Sequence, residues 1–150
     1  MRLVDANLLL YAFDKGFAQH AAAQAWLDEL LSRPEPVGLP WPSLLAFVRL
    51  TTNPRVFTQP LTVDAAWQQV QQWLTPACVW IPTPTERHRE ILGRMLIDSQ
   101  STANHVPDAH LAALAVEHGL VLCTADTGFA RFPGLRYENP LTAQTRLRRN

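Results

Sequence analysis

Charge is scarce in this chain, and lysine almost absent. Charged residues fill 17% of the 150 positions, against about 25% in ordinary globular proteins. Thirteen basic residues are balanced by thirteen acidic ones, for a net charge of zero. No global field is available to attract nucleic acid or a membrane surface, so any such contact has to be a local patch. The two cysteines, Cys78 and Cys123, are too few for a disulfide framework or a zinc quartet, and a reducing compartment follows as the simpler reading. No apolar run approaches the roughly 18 residues of a membrane span. The opening Met1-Arg2-Leu3-Val4-Asp5 runs straight into an apparent strand, without the n-region, h-region and cleavage site of a secretory leader. A soluble, cytoplasmic protein is expected. Hydrophobic residues, by contrast, reach 47%, enough for a sizeable core and too many for a disordered chain.

The thirteen basic residues are twelve arginines and the single Lys15. The planar guanidinium suits phosphate recognition, although a GC-rich coding bias accounts for the composition equally well. Distribution says more. Residues 127–150 hold Arg131, Arg136, Arg146, Arg148 and Arg149 against Glu138 alone, a local excess of four positive charges. The expected organisation is one domain over residues 1–141, followed by a basic C-terminal tail at 142–150.

Along the chain, short apolar strands alternate with helical stretches. Arg2 to Val4, Val37 to Leu39, Val79 to Ile81 and Leu120 to Cys123 read as buried strands. Asn7 is placed to cap a first helix at Leu8 to Ala12, and helical spacing continues over 18–32, from Pro42 to Leu50, from Val63 to Leu74, from Thr85 to Ile97 and from Asp108 to His118. Asn53-Pro54 and Gly119 stop two of these helices. The alternation predicts an α/β fold: a parallel sheet sandwiched between helices in three layers.

In open α/β sheets, ligands sit beyond the carboxyl ends of the strands. Two strands run into aspartates there, Leu3-Val4-Asp5 and Leu122-Cys123-Thr124-Ala125-Asp126, and Asp108 opens the helix that leads into the second. Three carboxylates at one edge would repel one another unless a cation or proton intervened. Oxygen donors without cysteine or histidine favour Mg²⁺ or Mn²⁺. Taken singly, each residue has a plainer role. Asp5 suits a turn or cap, Asp108 suits the positive end of a helix dipole, and Asp126 suits turn chemistry. The histidines show no zinc spacing and are expected at the surface. Trp26, Trp67, Trp73 and Trp80 are expected in the core rather than as a base-stacking platform.

Order and context add to this. Leu3-Val4-Asp5-Ala6-Asn7-Leu8-Leu9-Leu10-Tyr11-Ala12 resembles the opening of PIN-domain ribonucleases, Asn104 to Ala115 their third acidic motif, and Thr124 to Phe132 their last. With Leu44 to Phe57, the resemblance is to VapC toxins of type II toxin–antitoxin modules, and it spans residues 1–141. It implies a PIN-like domain in which Asp5 and Asp108 bind Mg²⁺ (or Mn²⁺) and Asp126 is a third catalytic acid. Asn104 and Thr124 would be polar supports, and arginines including Arg49 would hold substrate phosphates. The implied activity is cleavage of RNA by metal-activated water. The implied partners are an RNA substrate, a cognate VapB-like antitoxin and a second copy of the chain in a homodimer. Phe47 stands where the family commonly has a glutamate, and Gly128 where a further aspartate often follows. These departures keep two alternatives open: a degenerate, non-catalytic module that binds RNA or antitoxin, and a PIN nuclease of RNA processing.

Overall fold

In the computed structural model, residues 1–142 are described. The basic tail expected at 142–150, with Arg146, Arg148 and Arg149, therefore lies outside the described residues apart from Thr142. Strand β1 (Arg2–Val4) leads into α1 (Ala6–Phe13) and α2 (His20–Leu31). Strand β2 (Val37–Gly38) is followed by α3 (Trp41–Thr51) and α4 (Val63–Leu74), then β3 (Val79–Trp80) and α5 (His88–Asp98). Helix α6 (His105–Glu117) enters β4 (Val121–Cys123), and a 3-10 helix at Thr127–Arg131 precedes β5 (Tyr137–Glu138). All neighbouring strands pair in parallel, in the order β3-β2-β1-β4-β5.

Side-chain alternation on the central strands separates the layers. Val4 and Cys123 face a core shared with α1, α2, α3 and α4, whereas Leu3 and Leu122 face a second core shared with α5 and α6. Successive strand residues point to opposite faces, so apolar residues at every position require helices on both sides. The expected three-layer α/β/α arrangement is thus present. No helix among the described residues is long and apolar enough to cross a membrane.

Three local expectations are corrected. Asp5, not Asn7, caps α1: its backbone is extended and its carboxylate accepts from the Ala6 N–H at 2.7 Å. Trp26 and Trp73 are core residues as expected, but Trp67 is 41% exposed and stacks on Trp41, with ring planes 7° apart. The histidines are not all at the surface either. Packing of α5 on α6 buries His88, whose Nδ1 donates to Oε2 of the fully buried Glu117 at 3.0 Å. His88 Nε2 and His110 Nδ1, 3.0 Å apart, share a further hydrogen bond. The Glu117 carboxylate also accepts from the Thr85 N–H, so the chain Glu117–His88–His110 ties the start of α5 to α6.

Candidate active site

The pairing of β1 with β4 sets Val4 opposite Cys123, so the next residues, Asp5 and Thr124, emerge side by side at the carboxyl edge. The Asp5 N–H donates to the Cys123 carbonyl at 3.0 Å and continues the ladder. Thr124, 1% exposed, donates its hydroxyl to Asp5 Oδ2 at 2.7 Å. The Thr124 Oγ1 in turn accepts from Asn7 Nδ2 at 3.2 Å and from the Asp126 N–H at 3.0 Å. Asn7 also donates to Asp5 Oδ2 and accepts from the Ala125 N–H at 3.3 Å. Asp5, Asn7 and Thr124 thereby lock two strand ends into one polar knot. Asn7 is a site residue that sequence reasoning read only as a cap. The signal was its place two residues after the strand-terminal aspartate, where an early helical side chain turns back towards that edge.

Asp108 occupies the first turn of α6 and is half-buried, with Oδ2 3.6 Å from His105 Nδ1. Asp126 is exposed and caps the 3-10 helix by accepting from the Gly128 N–H at 2.7 Å. Burial pushes the Asp5 carboxyl above its ordinary range. The bonds from Thr124 and Ala6 oppose that rise, and the charges of Asp108 and Asp126 add to it. Burial likewise raises Asp108. His105 and Arg131 counter the rise, while Asp126 adds to it. The three acids therefore share one electrostatic neighbourhood. Among the described residues, no three His, Cys, Asp or Glu side chains converge into a ready-made metal cage. The donors at this edge are carboxylate, hydroxyl and amide oxygens, a set that fits a hard divalent cation better than zinc.

The other candidates lie differently. Asn104 stands at the N-cap position of α6 but is exposed and makes no capping bond. Arg49 sits in the last turn of α3, and among the described residues no hydrogen bond or ion pair joins its side chain to the acids. Phe47 is fully buried, with its ring centroid 5.4 Å from Phe13 and 4.7 Å from Trp73. The position that is commonly acidic in the family is here part of the apolar core. Gly128 has no positive φ, so backbone conformation is not what reserves it for glycine.

The PIN domain family model matches residues 2–135. Ribonuclease VapC37 of Mycobacterium tuberculosis is 46% identical over 140 residues, covering 93% of this chain and 97% of that protein. Ribonuclease VapC43 of the same species is 40% identical over 147 residues, covering 98% and 100%. Among solved structures, VapBC2 from Rickettsia felis bound to a promoter DNA fragment matches with TM-score 0.67 at 15% identity, covering 92% of this chain and 97% of that one. FitAcB from Neisseria gonorrhoeae matches with TM-score 0.67 at 22% identity, covering 93% and 98%. The two structural likenesses speak for the fold, the two sequence likenesses for the branch. This chain belongs to the PIN-domain family, among its VapC ribonucleases.

Proposed function

We propose that the protein is a Mg²⁺- or Mn²⁺-dependent endoribonuclease that serves as the toxin of a type II toxin–antitoxin pair. The observation that carries this reading is that Asp5 and Asp126 follow the carboxyl ends of β1 and β4, with Asp108 near enough for its charge to act on Asp5, in a chain whose sequence relatives are named ribonucleases. Asp5 and Asp108 would hold the metal, which when bound supplies Lewis acidity and offsets charge on the phosphodiester. Thr124 and Asn7 hold Asp5 in one orientation, so little reorganisation is left for the moment of reaction. Asp126 keeps Oδ2 free of partners among the described residues, and in this reading it would take a proton from the attacking water. The partners in this reading are an RNA substrate, a second copy of the chain and a small VapB-like antitoxin. A cationic antitoxin side chain entering the pocket would relieve the repulsion between Asp5 and Asp108. Solved neighbours of the same fold were obtained as VapBC and FitAB assemblies.

The buried Phe47 and the missing acid at Gly128 favour one second reading, a non-catalytic module that binds RNA or antitoxin. A single experiment separates the two. Structured RNA is incubated with the protein and with its Asp5→Asn variant, in Mg²⁺ and in EDTA, beside thermal melts under the same conditions. Cleavage in Mg²⁺ by the unaltered protein alone, with Mg²⁺-dependent stabilisation lost in the variant, supports the nuclease. Asp5→Asn protein that cleaves at the normal rate sinks the proposed site. In EDTA, the relief of repulsion opposes the loss of two bonds at Oδ2, so the two melts should agree within a few degrees.

A further inference from the structure

We propose that Arg131 is the residue that positions the substrate phosphate in this site, and that Gly128, by lacking a side chain, lets its guanidinium lie beside Asp126. Arg131 ends the 3-10 helix, and its Nε donates to the Gly128 carbonyl at 2.8 Å. That bond fixes one end of the guanidinium and leaves the two terminal nitrogens without an ion-pair partner among the described residues. A Cβ placed on Gly128 would lie 3.2 Å from Arg131 Nη2 and 2.9 Å from Asp126 Oδ1. Both groups therefore crowd Gly128, where a larger residue would force one of them to move, and they form no ion pair with one another.

A phosphodiester has two non-bridging oxygens to satisfy. The acidic side of the site suits a phosphate only through a cation, whereas Arg131 offers planar N–H donors directly. An aspartate at 128 would crowd Asp126 and set a carboxylate beside Arg131, silencing it; glycine leaves the fork free. The ligand is the phosphodiester backbone of the RNA substrate, so this inference rests on the nuclease reading.

The test uses the full chain and three variants, Arg131→Ala, Arg131→Lys and Arg131→Gln, with Arg94→Ala as a control. Arg94 is an exposed arginine of α5 paired with Glu90. A fluorescent single-stranded RNA is titrated in EDTA at several salt concentrations, Mn²⁺ binding is followed by calorimetry, and cleavage is assayed in Mg²⁺. Arg131→Ala and Arg131→Gln are expected to bind RNA roughly tenfold more weakly, with the salt slope reduced by about 0.7 for the one lost phosphate contact. Their Mn²⁺ affinity should be unchanged or higher, because a cation beside the carboxylates has gone. Arg131→Lys should recover part of the RNA affinity, as a charge without the fork. Arg131→Gln keeps a donor for the Gly128 carbonyl, so its folding, checked by its melt, separates phosphate binding from local structure. Wild-type RNA affinity and slope in Arg131→Gln would overturn the proposal, as would an equal loss in Arg94→Ala or loss of Mn²⁺ binding together with RNA binding. If the unaltered protein fails to cleave yet binds RNA through Arg131, the nuclease reading falls and the phosphate site stands. If it cleaves in Mg²⁺ and Arg131 variants bind and cleave normally, the reverse holds.

Discussion

Thr124→Val removes one oxygen from the centre of the site and almost nothing else. Valine matches threonine in shape, so the 1% exposed pocket stays filled and no cavity forms. Three hydrogen bonds disappear: the one donated to Asp5 Oδ2 and the two accepted from Asn7 Nδ2 and the Asp126 N–H. A bond to a charged acceptor contributes about 1.5–3 kcal/mol. The other two donors keep alternatives, since Asn7 still reaches Asp5 Oδ2 and Asp126 is exposed, so together they add roughly 1 kcal/mol. The expected destabilisation is about 2–4 kcal/mol, or roughly 5–15 °C in the melting temperature of a domain of this size.

The pH dependence makes this test sharper. The Thr124 hydroxyl holds down a carboxyl that burial pushes up, so in the valine variant the Asp5 pKa rises further. A carboxyl whose folded pKa lies above its unfolded one stabilises while protonated. That contribution is complete below the unfolded value and is lost as pH rises through the folded one. The penalty of Thr124→Val should therefore be larger at pH 7 than at pH 4, where the protonated Asp5 no longer needs the donated bond. The acid limb of the cleavage profile should move to higher pH. Thr124→Ser keeps the hydroxyl and should lose only about 1 kcal/mol for the missing methyl group. Melts of all three proteins in EDTA at both pH values, beside pH–rate profiles in Mg²⁺, carry the measurement. A valine variant with an unshifted profile and the same loss at pH 4 as at pH 7 refutes the account of Thr124 as the hydroxyl that keeps Asp5 ionised.

Three further outcomes are expected. Gly128→Asp meets Asp126 Oδ1 at 2.9 Å, so it should destabilise the metal-free protein by about 1–3 kcal/mol of crowding and weaken RNA binding by pairing with Arg131; unaltered RNA affinity in a filter-binding assay contradicts this. Phe47→Glu places an unpaired carboxylate in the ring cluster of Phe13 and Trp73. Truncating such a ring already costs about 3–5 kcal/mol, so the variant should be unfolded by circular dichroism, and a folded variant with tighter metal binding would show that the position still opens onto the site. Burial, and then the charge of His88, lower the His110 pKa, so the stability it contributes is present above the ordinary histidine value and lost as pH falls; His110→Gln should melt with a smaller difference between pH 7.5 and 5.5 than the unaltered protein, and an undiminished difference counts against the coupling.

Elements with strong local signals were readable from sequence alone. β1 and β4 are apolar on both sides because helices cover both faces, and each ends in a polar residue where the sheet stops. That coincidence is why Asp5 stands out at a strand end, whereas Thr124 is implied only by the family resemblance. β5 could not: Tyr137–Glu138 is a two-residue edge strand with an exposed tyrosine, too short for alternation to register. The 3-10 helix was hidden for a related reason, since Ala125-Asp126-Thr127-Gly128 satisfies turn chemistry equally well. Trp67 shows the limit of periodicity. Val70 and Trp73 on the same helix are buried, whereas Trp67 stands on its flank and packs against Trp41 instead.

Interactions across elements were beyond local pattern altogether. His88, His110 and Glu117 are 22 and 29 residues from their partners in the hydrogen-bonded chain, and only the packing of α5 on α6 brings them together. Arg131 belongs to the same class. In sequence it was one of five arginines near the C-terminus; in the fold, its bond to the Gly128 carbonyl holds it beside Asp126. The two departures at Phe47 and Gly128 also take on different meanings once placed. Phe47 has left the site for the apolar core, where its loss would be a matter of stability. Gly128 has stayed at the site, where an arginine and a carboxylate take up the space a side chain would need. Fewer acids mean less repulsion to hold against burial, and of the three that remain, Asp5 and Asp108 are the two whose pKa values burial raises. A site built this way depends less on collecting charge than on fixing its few charged groups, which is the work that Asn7, Thr124 and the Gly128 carbonyl perform.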